Sequence, residues 1–124
     1  MEEDIKKLFE INPSEIPESI PVFPLENVLL LPFGKMPLNV FEKRYLEMVL
    51  DSLKTNRLIG IIQPKNNNNE FFMMGCIGKI TSYIETPDLR IVINLEGVCR
   101  FVLQEKYLTQ KGYYQGVVET KKYW

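Results

Sequence analysis

Apolar and polar residues alternate most clearly in the second half of the chain. Over residues 89–103 the odd positions are apolar or small, and polar residues such as Asn94 and Glu96 occupy even ones. A period of two predicts a strand with one buried face. Because the run is long for one flat strand, we expect a bend at Gly97. The pattern over 74–84 predicts its antiparallel partner, since the turn-forming Pro87 and Asp88 lie between the two runs.

A helical period is confined to the middle of the chain. Apolar residues at spacing four predict a helix at about 42–56, with two further leucines widening the apolar face. They are Phe41, Tyr45, Val49 and Leu53, with Leu46 and Leu50 beside them. Shorter apolar runs predict strands at 22–25, 36–40, 58–62 and 114–120. The stretch 63–70, rich in asparagine, is predicted to be a loop.

Residues 20–46 are densely apolar but interrupted by prolines. Proline lacks an N–H donor and restricts the residue before it, so neither one helix nor one central strand fits the run. We expect short extended segments, proline turns and then the helix. Three consecutive leucines, residues 29–31, cannot all point inward on a strand, because side chains alternate. At least one should therefore face solvent, another subunit or a ligand.

The predicted fold class is mostly β (α+β). About six mainly antiparallel strands with internal glycines favour a small, curled or closed β-barrel, with the helix at 42–56 capping one opening. The expected domains are an N-terminal arm at 1–19, with a short helix at 2–11, and a barrel domain at 20–120. Residues 121–124 would be the chain end.

Composition narrows the classes of function. The chain has 124 residues, 45% hydrophobic and 25% charged, with a net charge of −1. This balance is typical of one globular domain and gives no basic footprint for nucleic acid. No run approaches the ~20 apolar residues that span a bilayer, and the acidic N-terminus is unlike a secretory signal. We expect a cytoplasmic protein that binds neither nucleic acid nor membrane.

Side chains for chemistry are sparse. The chain has no histidine, which removes the commonest general base and metal ligand. Cys76 and Cys99 are too few for a disulfide framework and too far apart for a zinc motif, so we predict reduced core residues. The sequence predicts no catalytic residue, no metal site and no cofactor. The apolar clusters 29–33 and 71–74 have two interpretations, core strand or exposed adhesive surface.

The proline-rich run and the later strands resemble a known family, the N-terminal substrate-binding domain of Lon-type ATP-dependent proteases. Residues 22–25, 31–34 and 36–45 resemble the opening of that domain, and the Phe-Glu-x-Arg-Tyr ending at 41–45 is most similar to standalone bacterial members. Residues 74–80 and 95–101 resemble two of its strands. The resemblance covers about residues 20–120.

The resemblance implies a PUA-like barrel, followed by a helical segment that this chain would lack through truncation. It also implies a non-catalytic module for unfolded or tagged polypeptides, without the ATPase or Ser–Lys peptidase. Expected peptide contacts are Leu30, Phe33, Met36, Phe71 and Phe72, with strand addition at an open sheet edge as an equal route. The alternatives are self-association in a homo-oligomer and, ranked lower, a PUA-like RNA-binding accessory domain.

Overall fold

A computed structural model describes residues 15–65 and 70–120. The predicted helix at 2–11, the asparagine run at 66–69 and the chain end at 121–124 lie outside the described residues, and the expected division into arm, barrel and chain end stays a prediction. In chain order the elements are β1 (Ser19–Pro24), β2 (Lys35–Val40), α1 (Lys43–Leu53), β3 (Leu58–Ile62), β4 (Pro64–Lys65), β5 (Glu70–Phe71), β6 (Met74–Glu85), β7 (Ile91–Leu108) and β8 (Tyr114–Glu119).

The six longer strands form one sheet in the order β2-β7-β6-β3-β1-β8, which β7 closes by also pairing with β8. Val102 lies opposite both Met74 of β6 and Glu119 of β8. Since a strand has two edges, β8 and β6 must flank β7 on opposite sides. The predicted β-rich fold is thus confirmed, with a sheet of six strands and one helix in residues 15–65 and 70–120. The β1–β3 pair is parallel, because β2 and α1 intervene as a crossover.

β7 bends close to the position expected from the sequence. Ile77 pairs with Cys99 and Gly78 pairs with Gly97, so Val98 has no partner of its own on β6. This extra residue is a β-bulge, which increases the local twist and lets one strand take part in two parts of the sheet.

Two clusters of buried side chains fill the molecule. Because side chains alternate along a strand, β3 directs Leu58 and Ile62 into one cluster and Ile59 and Ile61 into the other, and all five of its residues are buried. The smaller cluster, with Phe101 fully buried, draws residues from β1, β3, β6 and β7. The larger cluster lies on the other face of β1 and β3, where α1 covers it.

The buried face of α1 agrees in part with the predicted one, since Tyr45 and Val49 are buried as expected. It consists of Tyr45, Met48, Val49 and Ser52, whereas Phe41 precedes the helix and is exposed. The predicted apolar face began at Phe41, two residues before the helix starts at Lys43. Among the described residues no helix is long and apolar enough to cross a membrane.

The β6–β7 turn brings a second correction. Leu89 continues the odd-numbered apolar pattern, yet it is 83% exposed and has a left-handed φ of 63°. Thr86 holds the turn, since its N–H donates to the Arg90 carbonyl at 2.9 Å and its carbonyl accepts from the Leu89 N–H at 3.2 Å. The turn therefore rotates Leu89 out of the strand that its period predicted.

The stretch 63–70 was predicted as a loop, and part of it is paired. Pro64 lies opposite Phe71 and Lys65 opposite Glu70, which makes β4 and β5 a short antiparallel hairpin. This hairpin fixes the orientation of Phe71, which matters for the surface described next.

Candidate functional site

Residues 28–34, the later part of the segment between β1 and β2, are here called the proline loop. Its three leucines resolve the question raised by the sequence: Leu30 is buried in the larger cluster, while Leu29 is 73% exposed and Leu31 is also exposed. The Leu30 side chain packs against Gly78. A Cβ added to Gly78 would lie 3.0 Å from the Leu30 Cδ2 atom. Leu30 anchors the loop to the core, so it does not offer the exposed surface that a predicted peptide contact needs.

Gly97 supports the other half of the proline loop. Its carbonyl accepts the Phe33 N–H at 2.8 Å, and its N–H donates to the Gly34 carbonyl at 2.8 Å. The Leu31 backbone passes so close that a Cβ on Gly97 would overlap the Leu31 carbonyl oxygen. Since Gly78 and Gly97 are ladder partners, a pair of facing glycines holds the whole loop.

Phe33 projects from this loop. Its ring is 81% exposed and its φ is 66°, a left-handed conformation that bulky residues rarely adopt. The two hydrogen bonds between the loop and Gly97 hold the backbone in this state. An exposed aromatic ring on a strained but hydrogen-bonded backbone is a feature found at ligand-contact sites.

A second apolar surface follows the β4–β5 hairpin and is here called the methionine patch: Phe72, Met73 and Met74. All three side chains are exposed, Phe72 by 48%. The Lys65 ammonium lies 5.3 Å from the centre of the Phe72 ring. Flexible thioethers beside an aromatic ring adapt to apolar partners of varied shape.

Gln63 connects the methionine patch to the proline loop. Its side-chain amide donates to the Val28 carbonyl at 3.3 Å, and its backbone carbonyl accepts the Phe72 N–H at 3.0 Å. The starts of the two surfaces are thus held by one residue. Phe33, at the far end of the loop, is held by Gly97 instead.

A groove of about 490 Å³ lies between the start of α1 and the β4–β5 hairpin. Phe23 and Tyr45 are stacked among its lining residues, with ring centres 4.3 Å apart. Phe71 and Tyr114 also line it and meet edge to face at 5.3 Å. The exposed Phe41 completes an aromatic lining that the sequence analysis missed, because the five rings come from separate elements.

Three of the charged groups at the groove, Arg44, Glu42 and Lys106, contact other protein groups. The Arg44 guanidinium lies 4.7 Å from the Tyr45 ring centre, and its Nε donates to the Glu42 carboxylate at 3.4 Å. Burial raises the pKa of Tyr45, with the Arg44 charge opposing the shift. The Lys106 ammonium lies over Phe71 and Tyr114, at 4.7 and 4.5 Å. The groove is therefore mainly an aromatic surface with charges at its rim.

The other predicted contacts are less exposed than Phe33 and Phe72. Met36 is partly buried against the larger cluster, and Phe71 is partly buried against the smaller one while it lines the groove. The structure does not bring all five predicted residues into one site. Phe33 and Phe72 stay available as contacts, Phe71 is available only from the groove, and neither Leu30 nor Met36 forms an exposed surface.

The described residues offer little for metal or thiol chemistry. No group of three or more Cys, Asp or Glu side chains in residues 15–65 and 70–120 could hold a metal ion. Cys76 and Cys99 are free and buried, as predicted. Burial raises the pKa of Cys76 to about 12 and that of Cys99 to about 11, so both thiols stay protonated near neutral pH.

The fold and these surfaces define a class: a small domain with a closed β-sheet that presents apolar side chains on its loops. Residues 19–123 match the family described as the ATP-dependent protease La (LON) substrate-binding domain, and the chain belongs to that family.

Relatives include the Lon proteases of Cytophaga hutchinsonii, 27% identical over 78% of this chain, and Dictyoglomus thermophilum, 28% identical over 89% of it. The matches cover only 13% and 14% of those proteases.

Two solved structures share the fold of this chain. The Lon N-terminal domain protein from Xanthomonas campestris is similar with a TM-score of 0.72 and 30% identity, over 82% of this chain and 59% of that chain. The N-terminal domain of the Mycobacterium avium complex Lon protease has a TM-score of 0.67 at 14% identity, over 82% of this chain and 54% of that one, which supports the fold alone.

Proposed function

We propose that this domain is a non-catalytic recognition module that binds unfolded or tagged polypeptide segments through apolar side chains. Membership of a substrate-binding domain family supports the general function. The observation that carries the proposal is the exposure of Phe33 and its leucine neighbours on a loop whose backbone is fixed by Gly97. A fixed loop does not need to be ordered on binding, so less of the interaction energy is lost.

The exposed residues favour permissive binding. Phe33, Leu29 and Phe72 are large, apolar and exposed. Unfolded chains expose apolar side chains that a native protein buries, so such a surface selects for the unfolded state. The net charge of −1 gives no electrostatic attraction for nucleic acid.

Phe33→Ser tests the proposal. We expect this variant to bind fluorescein-labelled β-casein about tenfold more weakly than the parent protein, a loss of about 1.4 kcal/mol, because partial burial of one aromatic ring contributes roughly that much. Fluorescence anisotropy measures the affinity.

Leu89→Ser is the matched control. Leu89 is as exposed as Phe33 and has almost the same φ, but it lies on the β6–β7 turn. We expect unchanged casein binding for the control. Equal affinities for the parent and both variants would contradict the assigned contact, and no detectable binding by the parent would contradict the function.

A further inference from the structure

β2 forms an edge of the sheet. In the described part of the chain it pairs with β7 alone, in register from Lys35 opposite Glu96 to Val40 opposite Ile91. No hydrogen bond among the described residues reaches the other edge of β2. An uncovered strand edge carries backbone groups that can pair with another extended chain.

Pro37 shows which residues of β2 face outward. The β2–β7 ladder continues without interruption through Pro37, although proline has no N–H to donate. Its backbone nitrogen must therefore point away from β7, at the position where edge strands tolerate proline. Because the direction alternates, Lys35 and Asn39 also face outward. This edge offers three carbonyl acceptors and two N–H donors.

Exposed aromatic rings lie at both ends of this edge. Phe33 precedes β2 and Phe41 follows it, and both rings are exposed. The six residues of β2 span about 20 Å at the usual rise of a strand. Met36 and Leu38 direct their side chains to the partly buried face. A guest strand would thus find backbone partners along the edge and an apolar contact at each end.

We propose that an extended segment of unfolded polypeptide adds to the outer edge of β2 as a further strand, with Phe33 and Phe41 contacting its two ends. This inference rests on the proposed function and specifies its mode: the edge recognises the guest's backbone, and the rings add apolar contact. Backbone recognition explains how one site accepts many sequences, since every non-proline residue offers the same groups.

Asn39→Pro removes a backbone N–H that faces outward. Asn39→Ala shortens the side chain but keeps this N–H. We expect Asn39→Pro to bind β-casein about tenfold more weakly than Asn39→Ala, because only the proline variant loses the backbone N–H. Far-ultraviolet circular dichroism and thermal unfolding establish that both variants remain folded. Equal binding by the two variants would overturn strand addition.

N-methylated peptides test the same edge without altering the protein. The probe is a fluorescein-labelled octapeptide of alternating valine and threonine, which is N-methylated on the valines only or on the threonines only. Only the set whose N–H groups face β2 should lose binding, about tenfold or more. Antiparallel addition with valines on the Leu38 face predicts that the threonine set is affected, and parallel addition predicts the valine set. Equal tolerance of both modifications would overturn the proposal.

Failure of this inference is distinguishable from failure of the proposed function. If Phe33→Ser loses casein binding while Asn39→Pro retains it, apolar recognition stands and strand addition falls. If sedimentation shows a dimer that Asn39→Pro abolishes, and no peptide binds, the edge belongs to a second copy of this chain and the proposal is wrong.

Discussion

Leu89 has a left-handed backbone conformation, which is unfavourable for a residue that carries a side chain. A left-handed conformation costs a non-glycine residue about 1–2 kcal/mol, and glycine recovers this at an entropic cost of roughly 0.5–1 kcal/mol. Leu89 is exposed and contributes little packing. We therefore expect Leu89→Gly to raise the free energy of unfolding by up to about 1 kcal/mol in urea titration. Leu89→Ala keeps the strained φ and should give no gain, and a less stable glycine variant would contradict the argument.

The proline loop shows what a sequence can and cannot predict about single residues. Three consecutive leucines required at least one exposed side chain, and the structure exposes Leu29 and Leu31. Which leucine is the anchor depends on Gly78, far away in the sequence. The positive φ of Phe33 was equally hidden, because it follows from hydrogen bonds to Gly97 and not from any preference of phenylalanine.

At the scale of elements, the proline loop depends on its two supporting glycines to different degrees. An added Cβ at Gly97 would meet the Leu31 backbone, whereas one at Gly78 would meet the flexible end of Leu30. We expect Gly97→Ala to lower the free energy of unfolding by about 1–3 kcal/mol and Gly78→Ala to lower it by less. Casein binding should fall with Gly97→Ala. Equal effects on stability, measured in urea, would show that the loop moves away without cost.

A polar cluster joins α1 to the β7–β8 turn. The Tyr113 hydroxyl donates to Asp51 Oδ2 at 2.6 Å, and the Lys111 ammonium donates to Asp51 Oδ1 at 2.7 Å. Burial alone would raise the pKa of Asp51, but these hydrogen bonds outweigh it and hold the pKa below its ordinary value of 3.8. Burial, together with the bond to Asp51, raises the pKa of Tyr113 to about 12.

Tyr113→Phe should cost about 1–2 kcal/mol of stability at pH 7, because a hydrogen bond to a carboxylate is lost. The sign of each pH dependence follows from linkage. The depressed pKa of Asp51 gives stability that is present above about pH 4 and is lost as the pH falls through the lower folded value. The raised pKa of Tyr113 gives stability that is complete below pH 10 and lost towards pH 12.

Urea titrations across pH should therefore show a larger alkaline loss in the parent protein than in Tyr113→Phe, together with a smaller acid loss in the variant. Tyr45, Cys76 and Cys99 also have raised pKa values, so they contribute an alkaline loss that both proteins share. Tyr107→Phe is the control, since Tyr107 is exposed. An alkaline loss of equal size in the parent protein and in Tyr113→Phe would show that Tyr113 does not contribute to it.

The elements were predicted unequally well, and the reasons are physical. The strands around Ile93 and Ile59 were recognised because periodicity and burial coincide there. The β4–β5 hairpin was not, since two-residue strands such as Pro64–Lys65 leave no period to read. The aromatic groove escaped for a third reason: Phe23, Tyr45 and Tyr114 meet only once the sheet closes.

At the scale of the whole molecule, the two clusters share their walls. β1, β3, β6 and β7 each contribute to both, and Phe101 from β7 fills the smaller one. Removing one cluster would leave the other with an exposed apolar wall. We therefore expect one cooperative unfolding transition, and Phe101→Ala should lower its free energy by about 3–5 kcal/mol while the transition stays single in urea. Two separated transitions would contradict this coupling.

The two buried thiols give a second test of whether the two clusters unfold together. Cys76 belongs to the larger cluster and Cys99 to the smaller one. With pKa values of about 12 and 11, neither thiol reacts as a thiolate in the native state near neutral pH. Cys76→Ala and Cys99→Ala each leave one reporter. If the barrel opens as a unit, both thiols should be modified by a disulfide reagent at rates that agree within about threefold, after correction for each variant's stability. Rapid reaction of Cys76 with continued protection of Cys99 would instead show that α1 and its cluster open while the barrel stays closed.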